Sequence, residues 1–208
     1  MDYLTNNLNG LRRTCPALAA GVTDSPGGLI TLKESREGSV SAMYEGQWIH
    51  SAYDPRKEAR TWAEAQLREW KAGEMAVVLG VGLLYHVEAL AERQPAGTRL
   101  AVVIPDVSIL KDAARARPMG AWFNSVEWIW GTPRKMAEEL MSRSTALRVL
   151  TYNPAARLHA EVHRQLEECL RRSAAEQQGG RLHVAVVGPI YGGSLPIARY
   201  VVAALEAA

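Results

Sequence analysis

The chain has 208 residues, 48% hydrophobic and 22% charged, enough apolar material to bury a sizeable core. Its 24 basic and 22 acidic side chains leave a net charge of +2 with mixed signs, which argues against a nucleic-acid surface or a polybasic membrane patch. Cys15 and Cys169 stand far apart with no CxxC, no run approaches the roughly 20 apolar residues of a membrane span, and the N-terminus lacks a signal peptide's basic start, so a cytoplasmic protein without disulfides is expected.

Residues 1–50 read as a β-rich segment. Leu29–Leu32, Ser39–Tyr44 and Gln47–His50 are short β-like runs, with a turn at Ser35–Gly38, and predict a small hairpin or meander. At Asp54-Pro55 the period changes: Asp54 suits an N-cap and Pro55 a first helical position. Ala59, Trp62, Ala63, Leu67 and Trp70 then mark one face of a helix that Gly73 stops.

Strands and helices alternate from there. Buried strands are expected at Met75–Leu79, Arg99–Ile104, Val126–Trp130 and Leu147–Tyr152. Helices are expected at Leu83–Arg93, Val107–Arg117, Thr132–Met141 and Ala155–Ala175. Short connections between such units imply an α/β fold, a Rossmann-like parallel sheet with flanking helices, over residues 51–175. Glu176–Gly180 reads as a linker. A strand at Leu182–Val187, a glycine-rich loop at Gly188–Ser194 and a helix at Leu195–Leu205 follow, so 181–208 either complete the sheet or open a second domain.

The first candidate site is Leu79-Gly80-Val81-Gly82-Leu83-Leu84-Tyr85-His86. A strand ending in G-x-G before a helix places free backbone N–H groups at the sheet edge, where phosphates and carboxylates are favoured. Gly80 and Gly82 would let a nucleotide approach the backbone. Asp106, about twenty residues on, is placed either to hold a ribose hydroxyl or to cap the next helix. Tyr85 and His86 face the same crevice, as ligand contacts or as packing at the sheet edge, with His86 neutral. The crevice lined by Gly80, Gly82, Tyr85, His86 and Asp106 is expected to be the principal pocket. In the tail, Gly188, Gly192, Gly193 and Ser194 form a second loop able to meet a donor sugar or phosphate, with Ser194 alternatively an N-cap.

Other constellations carry less. His159 and His163 lie one helical turn apart but lack the H-E-x-x-H pattern and a third ligand, so no metal is expected. Trp122, Phe123, Trp128 and Trp130 read as core or interface. There is no G-x-S-x-G and no G-x-x-x-x-G-K-[ST].

Ser51-Ala52-Tyr53-Asp54-Pro55-Arg56-Lys57-Glu58-Ala59 together with Val77–His86 resembles the motility accessory factor family, which includes 6-hydroxymethylpterin diphosphokinase MptE-like proteins. The resemblance covers roughly residues 50–170. Leu84 stands where that family's third glycine falls, and Ile104 where it has an acid before the proline. Gly188–Tyr200 resembles the start of a CgeB-type glycosyltransferase domain.

These resemblances imply the N-terminal part of a bacterial glycosyltransferase acting on a surface protein or glycan. The donor would be a nucleotide-sugar, and the chemistry would lie mostly in a further lobe. The alternatives are a small-molecule transferase of S-adenosylmethionine-dependent methyltransferase or pyrophosphokinase type, and a non-catalytic interaction domain. A protein acceptor and a homodimer are the further partners expected; no catalytic residue is assigned.

Overall fold

The computed structural model describes residues 3–176 and 183–187. The chain opens with two helices, α1 (Leu4–Thr14) and α2 (Pro16–Asp24). They correct the expectation of a β-rich segment over residues 1–50, which holds only from Thr31. Asn6, Asn7, Asn9 and Gly10 are weak helix formers, so α1 owes its helix to what it packs on. Leu8 and Leu11 are buried. The Asn7 side-chain amide donates to the carbonyls of Ala114 (2.7 Å) and Arg117 (2.9 Å) and accepts from Met119 N–H (2.9 Å).

The expected meander follows as β1 (Thr31–Glu34), β2 (Val40–Tyr44) and β3 (Gln47–Trp48), three antiparallel strands in sequence order. It is anchored at its start by Asp112, whose carboxylate accepts from the N–H groups of Gly28 (2.6 Å), Leu29 (2.7 Å) and Ile30 (3.2 Å). Its far end runs into α3 (Pro55–Leu67), capped as expected by Asp54, which accepts from Lys57 N–H at 2.7 Å.

The alternating part comprises β4 (Met75–Leu79), α4 (Tyr85–Ala91), β5 (Arg99–Ile104), α5 (Val107–Ala116), β6 (Glu127–Trp130), α6 (Pro133–Arg143) and β7 (Ala146–Thr151). The single helix expected over 155–175 is divided. A four-residue α7 (Asn153–Ala156) and a 3-10 turn at Arg157–His159 precede α8 (Ala160–Glu176). Strand β8 (His183–Val187) pairs in parallel with β7, from Ala146↔His183 to Leu150↔Val187, and so extends this same sheet. The loop and helix expected beyond it lie outside the described residues.

The parallel strands are ordered β6-β5-β4-β7-β8, a Rossmann-like arrangement. Successive residues of each strand point to opposite faces, and the core divides accordingly. Ala76, Val78, Leu100, Val102 and Ile104 pack with residues of α1 to α5. Met75, Val77, Leu79, Ala101, Val103, Leu147 and Val149 pack with Met136, Ala137 and Leu140 of α6 and Leu166 and Leu170 of α8. The chain therefore changes direction between β4 and β7. The carboxyl ends of these two strands form the switch point where open α/β sheets take their ligands.

Candidate functional site

At that switch point the glycine turn is in van der Waals contact with the protein's own chain. Gly80 has φ +96°, and a Cβ there would stand 2.6 Å from the Tyr152 carbonyl oxygen and 2.7 Å from Ala156 N. Glycine is thus required so that α7 can lie across the end of β4. Gly82 has φ +49°, and a Cβ would fall 2.4 Å from His50 Nε2. The space a ligand would need beside Gly82 is filled by an imidazole. Leu84, where the resembled family has glycine, keeps a left-handed φ of +65°, an uncommon and mildly costly conformation for a branched side chain.

His50 reaches the turn from the end of the meander and is 1% exposed. Its Nε2 accepts the Leu83 N–H at 2.7 Å, so that nitrogen carries the lone pair and Nδ1 carries the proton. Nδ1 lies 3.3 Å from the Tyr152 hydroxyl, which itself donates to Glu58 Oε2 at 2.7 Å. The same Glu58 oxygen accepts Ser51 N–H at 2.8 Å. A directed chain results: Leu83 amide to His50, His50 to Tyr152, Tyr152 to Glu58. It joins the meander, α3, the glycine turn and the end of β7. Burial, the neighbouring His86 ring and the Arg117 charge hold His50 well below the ordinary histidine range. Burial, with the Glu58 carboxylate beside it, pushes the Tyr152 phenol far up.

Each residue expected at this site has a place in the packing. Tyr85 is 3% exposed; its hydroxyl donates to the Val40 carbonyl at 2.8 Å, and the Arg117 guanidinium lies 4.2 Å from its ring centre. His86 is fully buried, stacked on Tyr152 (centroids 4.1 Å apart, planes 11°) and edge-on to Trp62 (5.4 Å). Neither ring nitrogen of His86 makes a well-formed hydrogen bond. Burial lowers its pKa to about 3, an effect the Gly80 carbonyl offsets only in part and Arg117 reinforces. Asp106 caps α5, accepting Ser108 N–H at 2.7 Å. Gly80, Gly82, Tyr85 and His86 thus come together, while Asp106 is engaged at the helix end. Gly188, Gly192, Gly193 and Ser194 lie outside the described residues.

Beside Gly80 and Gly82, where a ligand was expected, the adjoining space is taken by Tyr152, α7 and His50. An open groove of about 310 Å³ lies instead between α6 and α8, along Thr132, Arg134, Glu168, Cys169 and Arg172. Among the described residues no cluster of three or more His, Cys, Asp or Glu is placed to hold a metal. His163 Nδ1 donates to the Ala156 carbonyl at 3.0 Å, and His159 lies edge-on beside it.

Sequence reasoning missed His50, Glu58, Tyr152, Trp62 and Arg117 as members of the site. Ser51 and Glu58 stand in the S-x-Y-D-P-x-x-E-A stretch, so spacing could have paired them. Tyr152 lies 102 residues from His50 and 94 from Glu58, with no local pattern to announce the contact. Comparison with protein-family models, with curated proteins and with solved structures finds no match to this chain.

Proposed function

We propose that this Rossmann-like domain acts as a non-catalytic interaction module, within a glycosyltransferase that modifies a surface protein or glycan. The glycosyltransferase setting rests on the two sequence resemblances. The non-catalytic role rests on one observation: the His50 imidazole packs against Gly82 and takes the Leu83 N–H that a bound phosphate would need. An amide already paired in a buried site has little to gain from a ligand, because the incoming group must first displace an equivalent acceptor. Helix α4, at seven residues, adds only a short dipole behind the turn.

A methyltransferase or pyrophosphokinase would need this edge open to its cofactor. Titration calorimetry with uridine and guanosine diphosphates, their sugar conjugates and S-adenosylmethionine is expected to yield no saturable heat. The same titrations followed by amide NMR decide the matter. Saturable binding that moves the Leu83 amide and the His50 ring would overturn the interaction-module reading and restore a nucleotide site.

A further inference from the structure

The residues between the Asp112 clamp and the start of α3 form a strap over the carboxyl edge of the sheet. One end is fixed where Asp112 holds the Gly28, Leu29 and Ile30 amides, just after glycines with φ +68° and +77°. The other is fixed where Glu58 holds Ser51 N–H and Asp54 caps α3. Between these anchors β1 is exposed along its whole length and both residues of β3 are exposed. The polar bonds from strap to sheet edge are few. Among the described residues they are His50 with Leu83 and with the Tyr152 hydroxyl, Tyr85 with the Val40 carbonyl, and Arg157 with the Trp48 carbonyl (2.8 Å) and Gln47.

We infer that this strap is a proton-sensitive lid: neutral His50 latches it onto the glycine turn, and protonation of His50 releases it while the parallel sheet stays folded. A proton on Nε2 would point at the Leu83 N–H, donor against donor, on a ring that is 1% exposed.

The groups around the ring do not favour the charge. From α4, His86 lies 6.1 Å away centre to centre and Tyr85 meets the ring edge-on at 5.6 Å. Arg117, beyond α5, adds a like charge. From α3, the Glu58 carboxylate is reached only through the Tyr152 hydroxyl and is already occupied by Tyr152 and Ser51. The latched state therefore binds fewer protons than the released one. Its advantage is complete above the free histidine's value of about 6.5 and is lost as pH falls below it. The inference does not depend on which partner the domain serves.

Native-state amide exchange of the whole chain tests it. After correction for intrinsic rates, opening at Ala42, Met43 and Leu83 is expected to rise roughly 30-fold between pH 7.5 and 5.0, from the titration of one histidine with a free value of about 6.5. Throughout, these amides should open more readily than those of Val77 and Val149. His50→Gln, whose side-chain oxygen can take the Nε2 position without titrating, should flatten the dependence. Strap amides that open only with the core, or an undiminished slope in His50→Gln, would overturn the lid. Nitrogen-15 spectra of the wild-type ring provide a check that needs no variant: a neutral His50 protonated at Nε2 would overturn it equally.

Discussion

The two ends of the parallel sheet are held together by different chemistry. At the carboxyl end the contacts are buried and, apart from Glu58 and the adjoining Arg117–Glu88 ion pair, neutral: His50, Tyr152, His86 and Trp62 stack and hydrogen-bond across the switch point. At the amino end the contacts are ion pairs. Arg99 meets Glu127 at 2.7 Å, Glu127 also takes Arg143 at 2.8 Å, and Arg148 in β7 meets Glu74 at 2.9 Å and Glu69 at 3.5 Å. A buried neutral network gains from low dielectric but fails when one member must ionise. Half-exposed ion pairs keep their charges over the usual pH range but are weakened by solvent and salt. One end should therefore respond to acid, and the other weakly to salt.

The largest effect is expected at Gly80. In Gly80→Ala the new Cβ meets backbone atoms of Tyr152 and Ala156, which cannot swing aside, at a φ of +96°. A loss of several kcal/mol is expected, about 3 or more from combined overlap and backbone strain, read by urea unfolding. Gly82→Ala clashes with a side chain instead, so a smaller loss with weakened protection of the strap is expected. Equal losses in the two variants would mean that the His50 contact is as unyielding as backbone.

The acid response comes next. His50 and His86 are both depressed by burial, so folding leaves each with fewer protons than the unfolded chain has. Stability is fully present above about pH 6.5 and falls below it by about 1.4 kcal/mol per pH unit for each histidine, until its folded value is reached. For His86 that value is about 3. Burial also lowers His163, to about 4, and His159, so urea midpoints at pH 7.5, 6.0 and 5.0 should show a slope that His86→Phe lowers by about a third or less; a flat profile would refute the assignment of the buried rings.

At the amino end, Arg148→Leu removes a side chain only 8% exposed and strands Glu74, itself 21% exposed. A loss of about 1–3 kcal/mol is expected, the scale of an unpaired, partly buried charge. Removal of the outer pair by Arg93→Ala, whose partner Glu64 is 55% exposed, should change stability by less than about 0.5 kcal/mol. A thermal melt that ranks these two in reverse would contradict the burial argument.

Much of the fold was readable because the parallel strands are mostly apolar runs, and because α3, α5 and α6 each carry a side-chain cap. Asp54 and Thr132 accept hydrogen bonds from the third residue of the helices they precede, which local sequence signals directly. The meander was readable for the same reason, from alternation and from Gly38 with its φ of +86°. Helix α1 was not, because its stabilising bonds go to carbonyls more than 100 residues away. The break between α7 and α8 was missed likewise, since the close approach of Ala156 to Gly80 decides it.

For the site, sequence determined that a glycine turn follows β4 and that Tyr85 and His86 stand at the helix behind it. These are statements about neighbours along the chain, where short-range sterics and capping decide the outcome. What stands opposite the turn was settled only by tertiary structure. The G-x-G string is compatible with a phosphate or with an imidazole, because glycine specifies close approach and says nothing of what approaches. The crossover order brought Tyr152 beside Gly80, and the path of the meander brought His50 beside Gly82. Packing distant segments against one another is what turned an expected ligand crevice into a closed, hydrogen-bonded core.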